Sequence, residues 1–276
     1  MDLKTLETIP PWEWPQDAGR IILDVLRNDQ AEPSDRLLAA ELAGDSGDVS
    51  DELAEALLSI LQNANEPEAL RSLAVISLGP ALEYAYMDGF DDPDEVPITE
   101  SMFRNIQGTL HRLYRDARVP RKVRRRILEA SVRAPEDWHK EAVRAAYRSN
   151  EEDWKLTAVF CMQYIDGFDE QIFESIGSKN PDILYEAICA AGNWEIDAAW
   201  PHIAALIRSD QTEKELLLAA IEAAVMIRPE EAAEILNPLT DSDDEDIVDA
   251  VYEALAMAGE LWDDEEDDDD DNRTLH

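Results

Sequence analysis

Seven times along this chain a short phrase returns: a small or apolar residue, three further positions, an apolar residue, then Gly or a long polar residue. It reads AAELAG at Ala39–Gly44, AVISLG at Ala74–Gly79, LEASVR at Leu128–Arg133 and AVFCMQ at Ala158–Gln163. It then continues as AICAAG at Ala187–Gly192, AAVMIR at Ala223–Arg228 and ALAMAG at Ala254–Gly259. The last positions lie 35, 54, 30, 29, 36 and 31 residues apart. A unit of that size cannot bury its own apolar face, so the chain has to build its core by stacking each unit on the next.

The phrase falls on helices with apolar residues three and four apart, as in Leu70, Leu73, Ala74, Ser77 and Leu78. A second amphipathic segment precedes each one, at 14–26, 49–61, 101–114, 138–147, 170–176, 198–207 and 230–239. The units therefore read as helical hairpins. Pro and the capping residues Asn, Asp and Ser punctuate their joints, at 63–67, 180–181, 228–229 and 241–244. No Val-, Ile- or Thr-rich alternation between turn dipeptides suggests strands.

Acidic residues number 63 against 24 basic ones, a net charge of -39, over a hydrophobic content of 45%. That much apolar content indicates a folded core under an acidic surface. The charge disfavours nucleic acid and anionic membranes as partners. Met1-Asp2-Leu3-Lys4-Thr5 is not expected to begin a signal peptide, and no run of about 18 apolar residues is present. Cys161 and Cys189 sit inside the phrase and read as reduced core thiols, which fits a cytoplasmic protein.

One step breaks the rhythm. The 54 residues from Gly79 to Arg133 hold about 20 more than the neighbouring steps, and the stretch 84–97, YAYMDGFDDPDEVP, reads as an inserted loop. The repeat domain is thus expected over 1–259. The end, 260–276, contains DDEEDDDDD at 263–271 and is expected to be a disordered acidic tail.

Helices with small residues that end in Leu-Gly or Ala-Gly resemble the HEAT-like repeats of the armadillo-type superhelix. The resemblance is to the short bacterial version first associated with phycobilin lyases, and it covers about residues 12–258. It implies an all-α, right-handed α-α superhelix of about seven hairpins. The third and sixth units depart from it, ending in Arg133 and in Arg228 before Pro229. Proteins that look like this serve as scaffolds, transport receptors, lyase subunits and occasional enzymes, so the architecture leaves the function open.

The enzymatic members can be checked against this sequence. Deoxyhypusine hydroxylases hold iron through repeated His-Glu dipeptides, whereas His111, His139 and His202 precede Arg112, Lys140 and Ile203, and His276 is terminal. HEAT-like alkylpurine DNA glycosylases use a basic concave surface, which the net charge opposes. Cys-x-x-Cys, P-loop, dinucleotide and nucleophile-elbow motifs are absent. No catalytic residue, cofactor or metal is assigned. The doublet DGFDD at 88–92 and DGFDE at 166–170 has two readings. Clustered oxygens suit a cation, though EF-hand spacing is missing; alternatively each Gly supplies a positive φ and each Phe anchors a turn.

Charge is segregated. Residues 104–148 carry thirteen Lys or Arg against five acids, so this segment is +8 and the remainder -47. On the third repeat's second helix, Val123, Ile127 and Ser131 are expected to face the core, leaving Arg121, Lys122, Arg125 and Arg126 largely exposed. The patch has three readings: it binds an acidic segment of a partner, it receives the chain's own tail as a latch, or it is paired locally. Among the tryptophans, Trp12 and Trp14 read as a cap on the first hairpin, and Trp138, Trp154, Trp194 and Trp200 as packing between repeats.

The expected function is a non-catalytic protein-binding scaffold or adaptor that uses a concave face of second helices. Its candidate contacts are Arg115, Arg121, Lys122, Arg125 and Arg126, with Tyr86 and Phe90 from the insertion. The expected partner is another protein, through an acidic or extended segment. A chromophore lyase-like or modifying subunit, and an acidic chaperone or nucleic-acid mimic that binds basic proteins, are the alternatives.

Overall fold

A computed structural model describes residues 2–45, 49–90 and 96–270, with side chains described as far as Gly259. It divides into two compact units at Ala142 and Val143. The first unit contains α1 (Leu3–Glu7), α2 (Ala18–Leu26), α3 (Pro33–Asp45), α4 (Asp51–Gln62) and α5 (Glu68–Ile76). It continues with α6 (Gly79–Asp88), α7 (Glu100–Arg115), α8 (Arg121–Ser131) and the start of α9 (Asp137–Tyr147). The second unit completes α9 and adds α10 (Glu152–Cys161), α11 (Asp169–Ile176), α12 (Pro181–Asn193) and α13 (Trp200–Ile207). It ends with α14 (Lys214–Ile227), α15 (Pro229–Leu236) and α16 (Glu245–Asp270). No strand occurs among the described residues.

Each unit stacks its hairpins in two layers, as the all-α solenoid reading expects. In the first, α2, α4 and α7 touch in succession along one layer, and α3, α5 and α8 along the other. In the second, α10, α12, α14 and α16 form the layer of second helices, covered by α11, α13 and α15. Side-chain caps start several helices: Ser50 accepts from the Leu53 amide, Thr99 from Met102, and Asn180 from Asp182. Asp51 accepts from both the Thr99 amide and its hydroxyl at 2.8 Å, which ties the start of α7 to the first turn of α4.

Three of the four glycines that end the phrase, Gly44, Gly79 and Gly192, mark close approaches between consecutive units. A Cβ on Gly44 would stand 3.1 Å from Ser77 Cα, and one on Gly79 would stand 2.9 Å from Arg133 Cδ. On Gly192 it would stand 2.9 Å from Ala223 Cα and 3.0 Å from its Cβ. In each case the atom met belongs to the phrase of the following unit. In these three units the phrase is thus a contact between successive repeats. Gly192→Ala should destabilise the protein by about 1–2 kcal/mol, overpacking outweighing the better helix propensity of Ala. Gly108, on α7 with nothing within 4 Å of a Cβ, should instead gain about 0.5–1 kcal/mol as Ala. Urea denaturation of the two variants checks the opposite signs.

The insertion is partly helical. Tyr84–Asp88, read above as loop, are the last turns of α6, which Pro80 starts in its first turn and Ala81, Leu82 and Ala85 bury. Residues 91–95 lie outside the described residues, and so do the side chains of the expected tail. Both doublet glycines have positive φ, 71° at Gly89 and 83° at Gly167. Phe168 is fully buried, and Phe90 packs edge-on to Phe103 with ring centroids 5.4 Å apart, as the turn reading requires. Trp14 donates to the Leu6 and Ile9 carbonyls, but Trp12, in the short 3-10 turn that Pro11 begins, is 85% exposed and does not shield the first hairpin.

Candidate functional site

Helix α14 has two apolar faces. Leu217, Ala220, Ile221 and Ala224 are buried as the sequence phrase demands. Glu215, Leu218, Ala219 and Glu222, at spacings of three, four and seven, share a different face, which lines a groove of about 600 Å³. Helix α16 contributes Asp246, Asp249, Ala250, Glu253, Ala254 and Met257 to the same groove, and α12 contributes Tyr185. Tyr185 and Met257 stay 39% and 37% exposed, large apolar surface left uncovered at the groove. The floor is apolar, each helix beside it carries carboxylates, and none of the lining residues is Lys or Arg.

Lys214 stands at one end and holds the site together. Its ammonium reaches Asp244 at 2.8 Å and Asp246 at 2.5 Å, bonds that push its pKa up to about 12 and fasten the start of α14 to that of α16. The Cys189 thiol, one turn along α12 from Tyr185, is half-buried rather than fully buried. Burial first, then the Glu186 carboxylate, raises its pKa to about 11, so it remains a protonated, unreactive thiol at neutral pH.

The contact residues expected from sequence lie elsewhere, in the first unit. Arg115, at the end of α7, and Arg121 and Lys122, in the uncapped first turn of α8, are exposed. Val123, Ile127 and Ser131 face the core as expected. Arg125 and Arg126 are half-buried instead of exposed, because α8 packs against α5, α6 and α7 at once. Arg126 is also engaged by the buried Glu129 at 2.5 Å. Arg118 forks onto Asp116, Arg104 meets Glu100 and Arg112 donates to Gln62, so much of the basic patch is paired locally. Tyr86 is exposed on α6, whereas Phe90 is half-buried.

A second hollow, of about 370 Å³, opens beside the DGFDE turn between Arg144, Arg148 and Glu170. Among the described residues, no group of three or more His, Cys, Asp or Glu side chains is placed to hold a metal ion. No described helix is long and apolar enough to cross a membrane.

No family model matches the chain, and no curated protein matches it. Solved structures do. YibA of Escherichia coli is 15% identical over 92% of this chain and 86% of its own, with a TM-score of 0.45. Human deoxyhypusine hydroxylase, solved with glycerol, is 16% identical over 94% and 88%, with a TM-score of 0.42. An engineered protein is 15% identical over 89% and 98%, with a TM-score of 0.36. An enzyme thus stands among the similar structures, and the expectation of a non-catalytic scaffold or adaptor does not stand. From its stacked hairpins, the chain is an all-helical repeat protein.

Proposed function

We propose that the protein takes up a segment of another protein in the groove between α12, α14 and α16. The observation that carries this reading is the half-exposed apolar floor, Leu218 and Ala250 with Tyr185 and Met257, on second helices whose other faces are packed. A furrow running along helices suits an extended or helical segment better than a compact small molecule. We take the repeats to be HEAT-like. Two cysteines outside any disulfide, Cys161 and Cys189, suit a reducing compartment such as the cytoplasm.

A photocrosslinking residue placed at 218 or 250 tests this in the native host, with position 205, exposed on α13, as the outward control. The expected result is an adduct to one mapped polypeptide segment from 218 and 250 and none from 205. Equal adducts at all positions, or none in the groove, would overturn the reading.

A further inference from the structure

We infer that the segment the groove accepts is a basic amphipathic helix, an inference that rests on the groove being the binding surface. The chemistry follows from how carboxylates and apolar groups are laid out. Along α14, Glu215 and Glu222 are seven residues apart, about 10.5 Å at 1.5 Å per residue. Along α16, Asp246, Asp249 and Glu253 fall at 0, about 4.5 and about 10.5 Å. Between these two acidic rails lie Leu218, Ala219, Ala250 and Ala254. Their small side chains let another backbone come close, and Tyr185 and Met257 offer a broad face and a pliable one for a large apolar side chain.

A helix with Lys or Arg three, four and seven positions apart on either side of an apolar stripe matches both rails and the floor. An acidic segment is repelled by Glu215, Glu222, Asp249 and Glu253, four lining carboxylates besides the Asp246 that Lys214 holds. A small polycation satisfies the rails and leaves the floor wet. A second copy of this chain is a poor occupant, because its basic helix α8 already buries Val123, Ile127 and Leu128 and has no apolar stripe to offer.

With a net charge of -39, the whole surface attracts cations, so the test separates the groove from general attraction. The probe is a synthetic Lys/Leu/Ala helix of about five turns with one Trp in its apolar stripe, compared by anisotropy with a scrambled peptide of the same composition and with spermine. The protein variants are Glu222→Lys with Glu253→Lys, and as control Glu230→Lys with Glu234→Lys on α15, all exposed positions. The amphipathic peptide should bind, losing at least about tenfold affinity in the groove variant and less than about twofold in the control, with the scrambled peptide at least about tenfold weaker. Equal losses in both variants, equal binding of the scrambled peptide, or full displacement by spermine would each overturn the inference. If crosslinking from 218 or 250 maps to a neutral or acidic segment, the basic helix falls and the groove stands. If no segment is captured there, both fall.

Discussion

Phe168→Ala is expected to remove about 3–5 kcal/mol of stability, a large part of the roughly 5–15 kcal/mol typical of a domain. The side chain is 1% exposed, and its backbone serves as the N-cap of α11, with its carbonyl accepting from the Ile172 amide at 2.9 Å. Gly167, at φ 83°, makes the reversal that turns this ring inward, and the Arg144 guanidinium closes over it 5.6 Å from the centroid. Truncation leaves a cavity that α11 and its neighbours close only in part. Urea denaturation followed by circular dichroism measures the change; a loss below about 1 kcal/mol would mean that Phe168 does not anchor the turn.

Acid should weaken the first unit through His139. This imidazole is fully buried, accepts the Glu136 amide on Nδ1 at 2.8 Å and faces the Ser131 hydroxyl with Nε2 at 2.9 Å, which assigns the neutral Nε2–H form. Protonation would bring an N–H against the Glu136 N–H in a fully buried site. Burial, the largest cause, lowers the pKa from 6.5 to about 4, with the nearby His111 acting in the same direction and the Glu136 carbonyl against it. The unfolded chain then binds the proton first as pH falls below 6.5, so the stabilising contribution is intact above 6.5 and lost by about pH 4. Over that window the loss amounts to about 3 kcal/mol at 1.36 kcal/mol per unit. His139→Gln keeps an acceptor and a donor without the titration. Because protonating the many carboxylates affects both proteins alike, the difference between their pH profiles isolates the histidine. Wild type should lose about 2–3 kcal/mol more than His139→Gln between pH 7 and 4.5, and parallel profiles would contradict this.

The hairpins were legible because the phrase encodes a contact: Gly192 is glycine since Ala223 of the next unit touches it. Arg125 and Arg126 were misjudged because a helical wheel counts one buried face, while α8 has neighbours on three sides. Tyr84–Asp88 read as loop from its surplus length, yet Pro80 is as good a helix start as an interruption. The groove was missed for a different reason. Carboxylates are so abundant that no pair of them stands out in sequence, and the groove's residues come from three helices. The repeat spacing held the signal all the same: Glu222 and Glu253 are 31 residues apart, equal to the last step of the phrase.

Hydrogen–deuterium exchange on the full chain, with and without saturating basic amphipathic peptide, tests the groove most directly. Slower exchange at 215–222 and 246–257, with 116–122 unchanged, is the predicted result. Protection centred on 116–122, or none along α14 and α16, would contradict it.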